Sequence, residues 1–171
     1  PMVILVTRAS HTGKTLLAQR LLEQYRYLCV SIDLLKMGLI RSGYTDLTPE
    51  DDGKLTEYLW PVLREMIKTA VENNQNLILE GVYIPLNWAE DFGPRYRQSI
   101  RCICLVMTER YIRAHFDDIR AYASVIENRM DDSGLTLDGV LADNADFLAR
   151  CRANGVEPLL IDGKDDVRVT L

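Results

Sequence analysis

Short apolar segments alternate with longer amphipathic segments along most of the chain. Val3–Val6 is the first apolar run, and the segment from Lys14 to Tyr25 then repeats its large apolar residues at helical spacing. Further apolar runs lie at 27–32, 77–79, 100–107 and 159–161. Short apolar strands that are separated by amphipathic helices are typical of a parallel sheet covered on both faces. The pattern therefore predicts an α/β fold with five parallel strands.

The segments between the strands carry helix signals. A short helix is predicted from Asp33 to Arg41. The next helix is predicted to start at Thr48, a hydroxyl N-cap that is followed by Pro49 in the first turn, and to kink at Pro61. A last helix is predicted from the apolar residues Leu137, Val140, Leu141, Phe147, Leu148 and Cys151.

Length and composition fit one globular domain. A chain of 171 residues can bury a full core, so we expect a single domain over 2–171, with Pro1 set aside as the expected remnant of a cleaved tag. Apolar residues make up 47% and charged residues 26% of the chain. The net charge of -5 argues against a generic nucleic-acid binder, and no apolar run approaches the length that spans a bilayer. We therefore expect neither nucleic acid nor a membrane as a partner.

The cysteines point to a reducing compartment. No CxxC pair occurs among Cys29, Cys102, Cys104 and Cys151. With only two histidines as further soft ligands, we expect buried reduced thiols rather than a metal site built on cysteine. No charged, apolar, cleavable leader opens the chain. These features favour the cytoplasm.

Polar residues that could bind phosphate follow each of the first three predicted strands. Gly13, Lys14 and Thr15 come after the first strand, Asp33 after the second, and Glu80 after the third. Ligands of parallel α/β sheets bind beyond the carboxyl ends of the strands. We therefore expect a ligand site at this edge of the sheet.

The stretch TRASHTGKT, residues 7–15, is close to a phosphate-binding loop between a strand and a helix. Consecutive backbone N–H groups at a helix N-terminus cradle phosphate oxygens. The candidate ATP-binding residues are Ser10, His11, Thr12, Gly13, Lys14, Thr15 and Leu16. Lys14 would reach the β and γ phosphates, and Thr15 would ligate Mg²⁺. The alternative is an ordinary strand-to-helix turn in which Gly-Lys-Thr is accidental.

Arg8 stands where the loop pattern has its first glycine. If its backbone were left-handed, a non-glycine residue would cost about 1–2 kcal/mol. If its backbone is extended, arginine is tolerated and its side chain points to solvent or across the nucleotide. In neither case are Lys14 and Thr15 lost.

Two carboxylates at the strand ends have candidate chemical roles. Asp33 could accept the proton of an acceptor hydroxyl or hold a metal-bound water, and its alternative is an N-cap of the following helix. Glu80 would hold Mg²⁺ through water, with Gly81 leaving room for ligand, and its alternative is a solvated strand end. Lys36 and Arg41 could hold a carboxylate or phosphate elsewhere on the acceptor.

The stretch from Glu109 to Asp132 is rich in arginine. Phosphoryl transfer needs cations that close on the charge of the transferred group. Arginines at helical spacing otherwise decorate a solvated face, which is what we expect for most of these. The candidates for a lid are Arg113, Arg120 and Arg129, with Arg110 nearby.

These residues resemble the P-loop small-molecule kinases, the nucleoside monophosphate kinase-like group with adenylate, shikimate and zeta-toxin-type kinases as branches. SIDLLK is similar to the adenylate-kinase stretch after the second strand, with Lys36 in the arginine place. LILEGV resembles the zeta-toxin acid–glycine pair, and RMDD, which begins at Arg129, resembles the end of the adenylate-kinase lid, where the arginine contacts phosphates. The resemblance implies a three-layer fold with strand order 2-3-1-4-5 and a short helical lid at approximately 109–132.

Three departures count against adenylate kinase activity itself. Arg8 breaks the loop pattern, Val140 stands where the second lid arginine would be, and EGVYIP lacks the Pro-Arg that follows the acid–glycine turn. They leave the phosphotransferase interpretation intact.

The sequence therefore predicts an ATP-dependent kinase that uses Mg²⁺ to transfer the γ-phosphoryl group to a small, anionic, hydroxyl-bearing molecule. Lys14, Asp33 and Arg129 are its candidate catalytic residues. Three alternatives stay open: a nucleoside monophosphate as acceptor, a switch that hydrolyses nucleotide slowly, and a degenerate kinase fold kept as an interaction module.

Overall fold

The computed structural model describes residues 2–9, 14–126 and 135–163, with the backbone alone for 14–19 and 122–126. Its strands are β1 (Val3–Arg8), β2 (Leu28–Ser31), β3 (Leu77–Glu80), β4 (Ile100–Met107) and β5 (Leu159–Ile161). They form one sheet in the order β2-β3-β1-β4-β5. The registered pairs β1–β3, β2–β3 and β4–β5 are all parallel. The predicted fold class and strand order are confirmed.

Six α-helices lie among the described residues. They are α1 (Lys14–Tyr25), α2 (Ile32–Arg41), α3 (Asp52–Glu72), α4 (Pro94–Arg97), α5 (Glu109–Ile126) and α6 (Leu137–Ala153). α5 contains one residue with non-helical backbone angles, His115. α5 covers the first part of the predicted lid, and 127–132 lies outside the described residues. None of the described helices is long and apolar enough to cross a membrane.

The described residues form two compact units. The first comprises 2–7 and 15–103, and the second comprises 8–9, 14, 104–126 and 135–163. The single domain that the sequence suggested over 2–171 stays a prediction.

The core of the first unit is built from apolar residues of β1 and β3 and from one face of α3. Every residue of β3 is buried. α3 directs Leu55, Leu59, Leu63 and Ile67 inward at helical spacing, and none of these side chains is more than 1% exposed. Burying side chains of this size stabilises a fold by about 1.5–3 kcal/mol each, so this face fixes α3 in the first unit.

α3 begins later than the sequence suggested. The Asp51 carboxylate accepts hydrogen bonds from the Thr48 backbone N–H at 2.9 Å and from the Thr48 hydroxyl at 3.2 Å. The Asp51 N–H donates back to the Thr48 carbonyl at 3.0 Å, which closes a turn with Pro49 at its second position. The prediction that Thr48 caps the helix was wrong, because the Thr48 hydroxyl donates to the Asp51 carboxylate within this turn. Pro61 lies within α3 and does not end it.

In the second unit a buried amide links α6 to β4. Asn144 is 2% exposed, and its side-chain oxygen accepts a hydrogen bond from the Met107 N–H at 3.0 Å. Its amide nitrogen donates to the Val140 carbonyl at 2.9 Å. A buried amide without such partners would cost about 1–3 kcal/mol, so these bonds account for a polar residue at this place.

We expect Gly81→Ala to lower the free energy of unfolding by about 1–3 kcal/mol, because the new methyl group overpacks the core. A Cβ atom at Gly81 would lie 2.7 Å from the Cβ of Ile32, the first residue of α2. Urea denaturation measures the change. Gly38→Ala is the matched control: it lies inside α2, no described atom lies within 4 Å of an added Cβ, and we expect a gain of about 0.5–1 kcal/mol. An equal gain for both variants would contradict the close packing at Gly81.

Candidate functional site

The carboxyl ends of β2 and β3 lie level beside β1 in the first unit. Glu80, the last residue of β3, is in register with Val6 of β1 on one side and Ser31 of β2 on the other. The Gly81 N–H donates to the Val6 carbonyl at 3.0 Å and continues this pairing by one step. Asp33 comes two residues after Ser31. Two of the polar groups that the sequence placed at strand ends, Glu80 and Asp33, are thus at or just after the ends of adjacent strands.

Glu80 is buried at the end of an apolar strand. Its exposed fraction is 4%, so the alternative of a solvated strand-end carboxylate is wrong. Burial first, and then the negative charge of Glu80, raise the pKa of the Cys29 thiol on β2. A buried carboxylate is costly unless hydrogen bonds or a cation compensate it. Its hard oxygen donors suit Mg²⁺, although the predicted metal role itself stays a prediction.

Gly81 has a packing role that the sequence did not indicate. We interpreted the glycine after Glu80 as room for ligand, and the structure fills that room with the Ile32 side chain. The glycine is needed because β3 and the start of α2 approach each other closely.

Asp33 lies within the first turn of α2 and does not cap it. The helix begins at Ile32, and Ser31 occupies the N-cap position. The capping alternative for Asp33 is therefore wrong. The Asp33 side chain is 38% exposed, and its Oδ1 lies 3.3 Å from the Nζ of Lys36, one turn later. A negative charge in the first turn also interacts favourably with the helix dipole.

Four side chains from α2, α3 and the chain after β3 form what we call the Lys36 cluster: Asp33, Lys36, Asp52 and Tyr83. The Lys36 Nζ donates to the Tyr83 hydroxyl at 3.1 Å, besides its ion pair with Asp33. The Tyr83 hydroxyl donates in turn to Asp52 Oδ1 at 3.3 Å. Lys36 is 6% and Tyr83 3% exposed, so the centre of the cluster is removed from water.

The protonation states in the cluster agree with this direction of hydrogen bonding. Desolvation is the largest single influence on Lys36 and lowers its pKa, but the hydrogen bond to Tyr83 and the charge of Asp33 outweigh it and leave the pKa raised. Burial raises the pKa of Tyr83 against the opposing effect of Lys36. Lys36 is therefore a cation and Tyr83 a neutral hydroxyl at physiological pH.

The structure describes only some of the other candidate residues for binding the acceptor and the nucleotide. Arg41 is exposed at the last position of α2. Lys14 and Thr15, the last two residues of the predicted loop, and Leu16 are the first residues of α1, and the structure describes their backbone alone. Ser10, His11, Thr12 and Gly13 lie outside the described residues. The strand-then-helix context is present, because β1 ends at Arg8 and α1 begins at Lys14.

Arg8 does not require the conformational freedom of glycine. It is the last residue of β1, and its exposed fraction is 7%. Among the described non-glycine residues, positive φ occurs at Arg26 and Asn74. Arg8 thus has no left-handed penalty, and the possibility that its side chain points to solvent is wrong.

The arginines of α5 are exposed, and two of them are paired with acids in the second unit. The Arg113 Nε lies 2.9 Å from Glu109 Oε1. The Arg110 guanidinium binds both carboxylate oxygens of Asp162, to which Thr108 donates at 2.6 Å. The hydrogen bond from Arg110, followed by that from Thr108, lowers the pKa of Asp162.

The structure describes one of the two remaining lid candidates. Arg120 is exposed on α5, and Arg129 lies outside the described residues. The phosphate-binding role of Arg113, Arg120 and Arg129 stays a prediction.

Solved structures with related folds were found, whereas no protein-family model matches the sequence and no curated protein matches it. A candidate kinase from Chloroflexus aurantiacus J-10-fl is 21% identical, with a TM-score of 0.55 over 84% of this chain and 80% of that one. Shikimate kinase from Bacteroides thetaiotaomicron is 12% identical, with a TM-score of 0.52 over 97% of this chain and 92% of that one. The chain has the P-loop kinase fold. At these identities the likeness shows the fold, and activity has to be argued from the site.

Two members of the Lys36 cluster were not predicted from the sequence. Tyr83 and Asp52 were not singled out, although Tyr83 lies in the stretch EGVYIP. The available signal was a polar-tipped aromatic residue two positions after the acid–glycine pair. Its partner Lys36 is 47 residues away, so only the folded chain shows the contact.

Among the described residues, no group of three His, Cys, Asp or Glu side chains is arranged to hold a metal ion.

Proposed function

We propose that the protein is an ATP- and Mg²⁺-dependent kinase that phosphorylates the hydroxyl group of a small, anionic molecule. The observation that carries this proposal is Asp33. It is a partly exposed carboxylate in the first turn of α2, directly after the strand that lies beside the buried Glu80. A carboxylate at the carboxyl end of a parallel sheet is suited to accept a proton from an alcohol.

The chemistry of the proposed reaction assigns a role to each residue. The acceptor oxygen attacks the γ-phosphorus, the bond from that phosphorus to the bridging oxygen of ADP breaks, and Asp33 takes the hydroxyl proton. Lys14 compensates charge on the β and γ oxygens, and Thr15 and Glu80 would hold Mg²⁺ directly and through water. Mg²⁺, when bound, neutralises charge on the phosphate oxygens. Arg129, with Arg113 and Arg120, would stabilise charge on the transferred group.

The charges of the Lys36 cluster favour an alcohol over a phosphate as acceptor. A phosphate acceptor arrives ionised and needs cations rather than a base. The one cation of the cluster, Lys36, is 6% exposed and is already paired with Asp33. Arg41, which is exposed, is the residue that we assign to an anionic group elsewhere on the acceptor.

A broad acceptor screen tests this function. Purified protein with ATP and Mg²⁺ is offered sugars, sugar acids, amino alcohols and nucleosides in one arm and nucleoside monophosphates in the other. ADP formation above the no-acceptor background is measured, and Lys14→Ala protein from the same preparation reports contaminating activity. Turnover with a hydroxyl compound supports the proposal. Turnover with nucleoside monophosphates alone would assign the phosphate acceptor, and no acceptor-stimulated ADP in either arm would favour the switch or the interaction module.

A further inference from the structure

Lys36 is placed where it contacts Asp33 rather than solvent. Its side chain is 7% exposed, whereas that of Asp33 is 38% exposed. A small molecule that approaches α2 from solvent can therefore meet the carboxylate while the ammonium lies behind it. This differs from the acceptor-binding role that the sequence suggested for Lys36.

The ammonium of Lys36 is held by Tyr83 as well as by Asp33. Tyr83, from the segment after β3, accepts its hydrogen bond at 3.1 Å, and the ring of Tyr83 lies 5.2 Å from Nζ. Asp52, at the first position of α3, accepts from the Tyr83 hydroxyl and fixes its orientation. The lone pair of the hydroxyl thus faces Lys36, and its proton faces Asp52. Lys36 is oriented before any ligand binds.

We propose that Lys36, held by Tyr83 and Asp52, is a positioning residue that keeps the Asp33 carboxylate oriented for proton acceptance, and that it does not bind the acceptor. This inference rests on the proposed function. An ammonium 3.3 Å from one carboxylate oxygen limits the rotation of that carboxylate. Preorganised groups of this kind make reaction geometry precise, and a displacement of about 1 Å can cost about 10²-fold in rate.

A positioning role and a purely structural role of Lys36 predict different effects of its replacement on melting temperature and kcat. Buried ion pairs contribute little net stability, since the cost of desolvation offsets the attraction. Replacing Lys36 by the apolar, similarly long methionine leaves Asp33 at the surface and leaves the bond from Tyr83 to Asp52 in place. A positioning role therefore predicts a nearly unchanged melting temperature together with a lower kcat.

The experiment is a double-mutant cycle between Asp33 and Lys36, measured with the acceptor from the screen. We expect Lys36→Met to lower kcat by about 10- to 100-fold, with less than about threefold change in the KM for acceptor. In an Asp33→Asn background the same change should cost less than about twofold, since Lys36 acts through Asp33. Tyr83→Phe, which keeps the ring, should lower kcat by a smaller factor and should have no further effect once Lys36 is replaced.

Several outcomes would overturn the positioning role. A KM raised more than about tenfold at unchanged kcat would mean that Lys36 binds the acceptor. An undiminished loss in the Asp33→Asn background would mean that Lys36 acts independently. If the melting temperature of Lys36→Met falls steeply, Tyr83→Phe becomes the variant that tests the proposal. An unchanged kcat in Tyr83→Phe would then contradict the positioning role.

A second measurement needs no acceptor and separates this inference from the proposed function. The ¹⁵Nζ signal of Lys36, assigned by its loss in Lys36→Met, should shift in Asp33→Asn and stay in place in Asp138→Asn, a change at an exposed residue of α6. No shift in Asp33→Asn would overturn the ion pair and the positioning role with it. If Asp33→Asn leaves transfer unchanged, the proposed function fails. If Asp33→Asn lowers kcat and Lys36→Met does not, only the positioning role fails.

Discussion

Asp33→Asn is expected to lower kcat for phosphorylation of an alcohol by about 10²–10⁴-fold, with ATP binding intact. The substitution keeps the size of the side chain and its place in the first turn of α2, and it removes the group that would take the proton. Steady-state kinetics with the acceptor from the screen give kcat, and calorimetry gives the affinity for ATP. A loss of this size requires that the proton leaves the hydroxyl in the rate-limiting step.

Asp138→Asn is the matched control for this prediction. Asp138 is the second residue of α6 after the N-cap Thr136, as Asp33 is the second residue of α2 after Ser31. Both changes remove a favourable charge from a helix N-terminus, which is worth about 0.3–1 kcal/mol in stability, but only one removes the proposed base. A fall in kcat below about tenfold for Asp33→Asn would show that Asp33 is not the base, and brisk turnover of wild type with a nucleoside monophosphate would show that the acceptor is a phosphate.

Lys14→Ala is expected to abolish turnover and to weaken ATP binding by about 10- to 100-fold. Lysine in the Gly-Lys-Thr sequence compensates charge on the β and γ oxygens, and a hydrogen bond to a charged group is worth about 1.5–3 kcal/mol. Calorimetry with ATP and Mg²⁺ measures the affinity of both proteins. Lys54→Ala provides the control, because Lys54 is exposed on α3 and the change removes an equal charge.

Equal affinity in wild type and Lys14→Ala would refute the assignment of the loop. Arg8→Gly bears on the same site. Arg8 lies at the end of β1 and carries no left-handed strain that glycine would relieve. If Arg8 does not contact the nucleotide, the glycine variant should bind ATP at least as tightly as wild type. Clearly weaker binding would make Arg8 itself a ligand of the nucleotide.

The sequence determined the elements that depend on periodicity and on chain order. The five apolar runs became β1 to β5, and the apolar stripe from Leu55 to Ala70 became the buried face of α3. Segments of this kind are specified locally, because a period of two or 3.6 residues decides which side chains share a face. The strand order came from the resemblance of short motifs, and the sheet confirms it.

Predictions that depended on competition between local signals were less accurate. Thr48 and Pro49 are good helix starters, but the Asp51 carboxylate binds Thr48 and delays α3 to Asp52. Asp33 is a good N-cap residue, yet α2 begins one residue before it. Several residues near a helix start can cap it, and small differences in hydrogen bonding decide among them.

The sequence by itself identified Asp33, Lys36 and Glu80 as polar residues at or just after the ends of apolar strands, because strand and helix patterns fix where each strand ends. Only the tertiary structure decided what surrounds them. Lys36 is buried against Tyr83 from a segment 47 residues away, and the space beside Gly81 is filled by Ile32. Burial and hydrogen-bond partners arise from contacts between segments that are distant in the chain, and no local pattern encodes which side chain will face a given lysine. The physical reason is that the charge and orientation of a buried group depend on its neighbours in space.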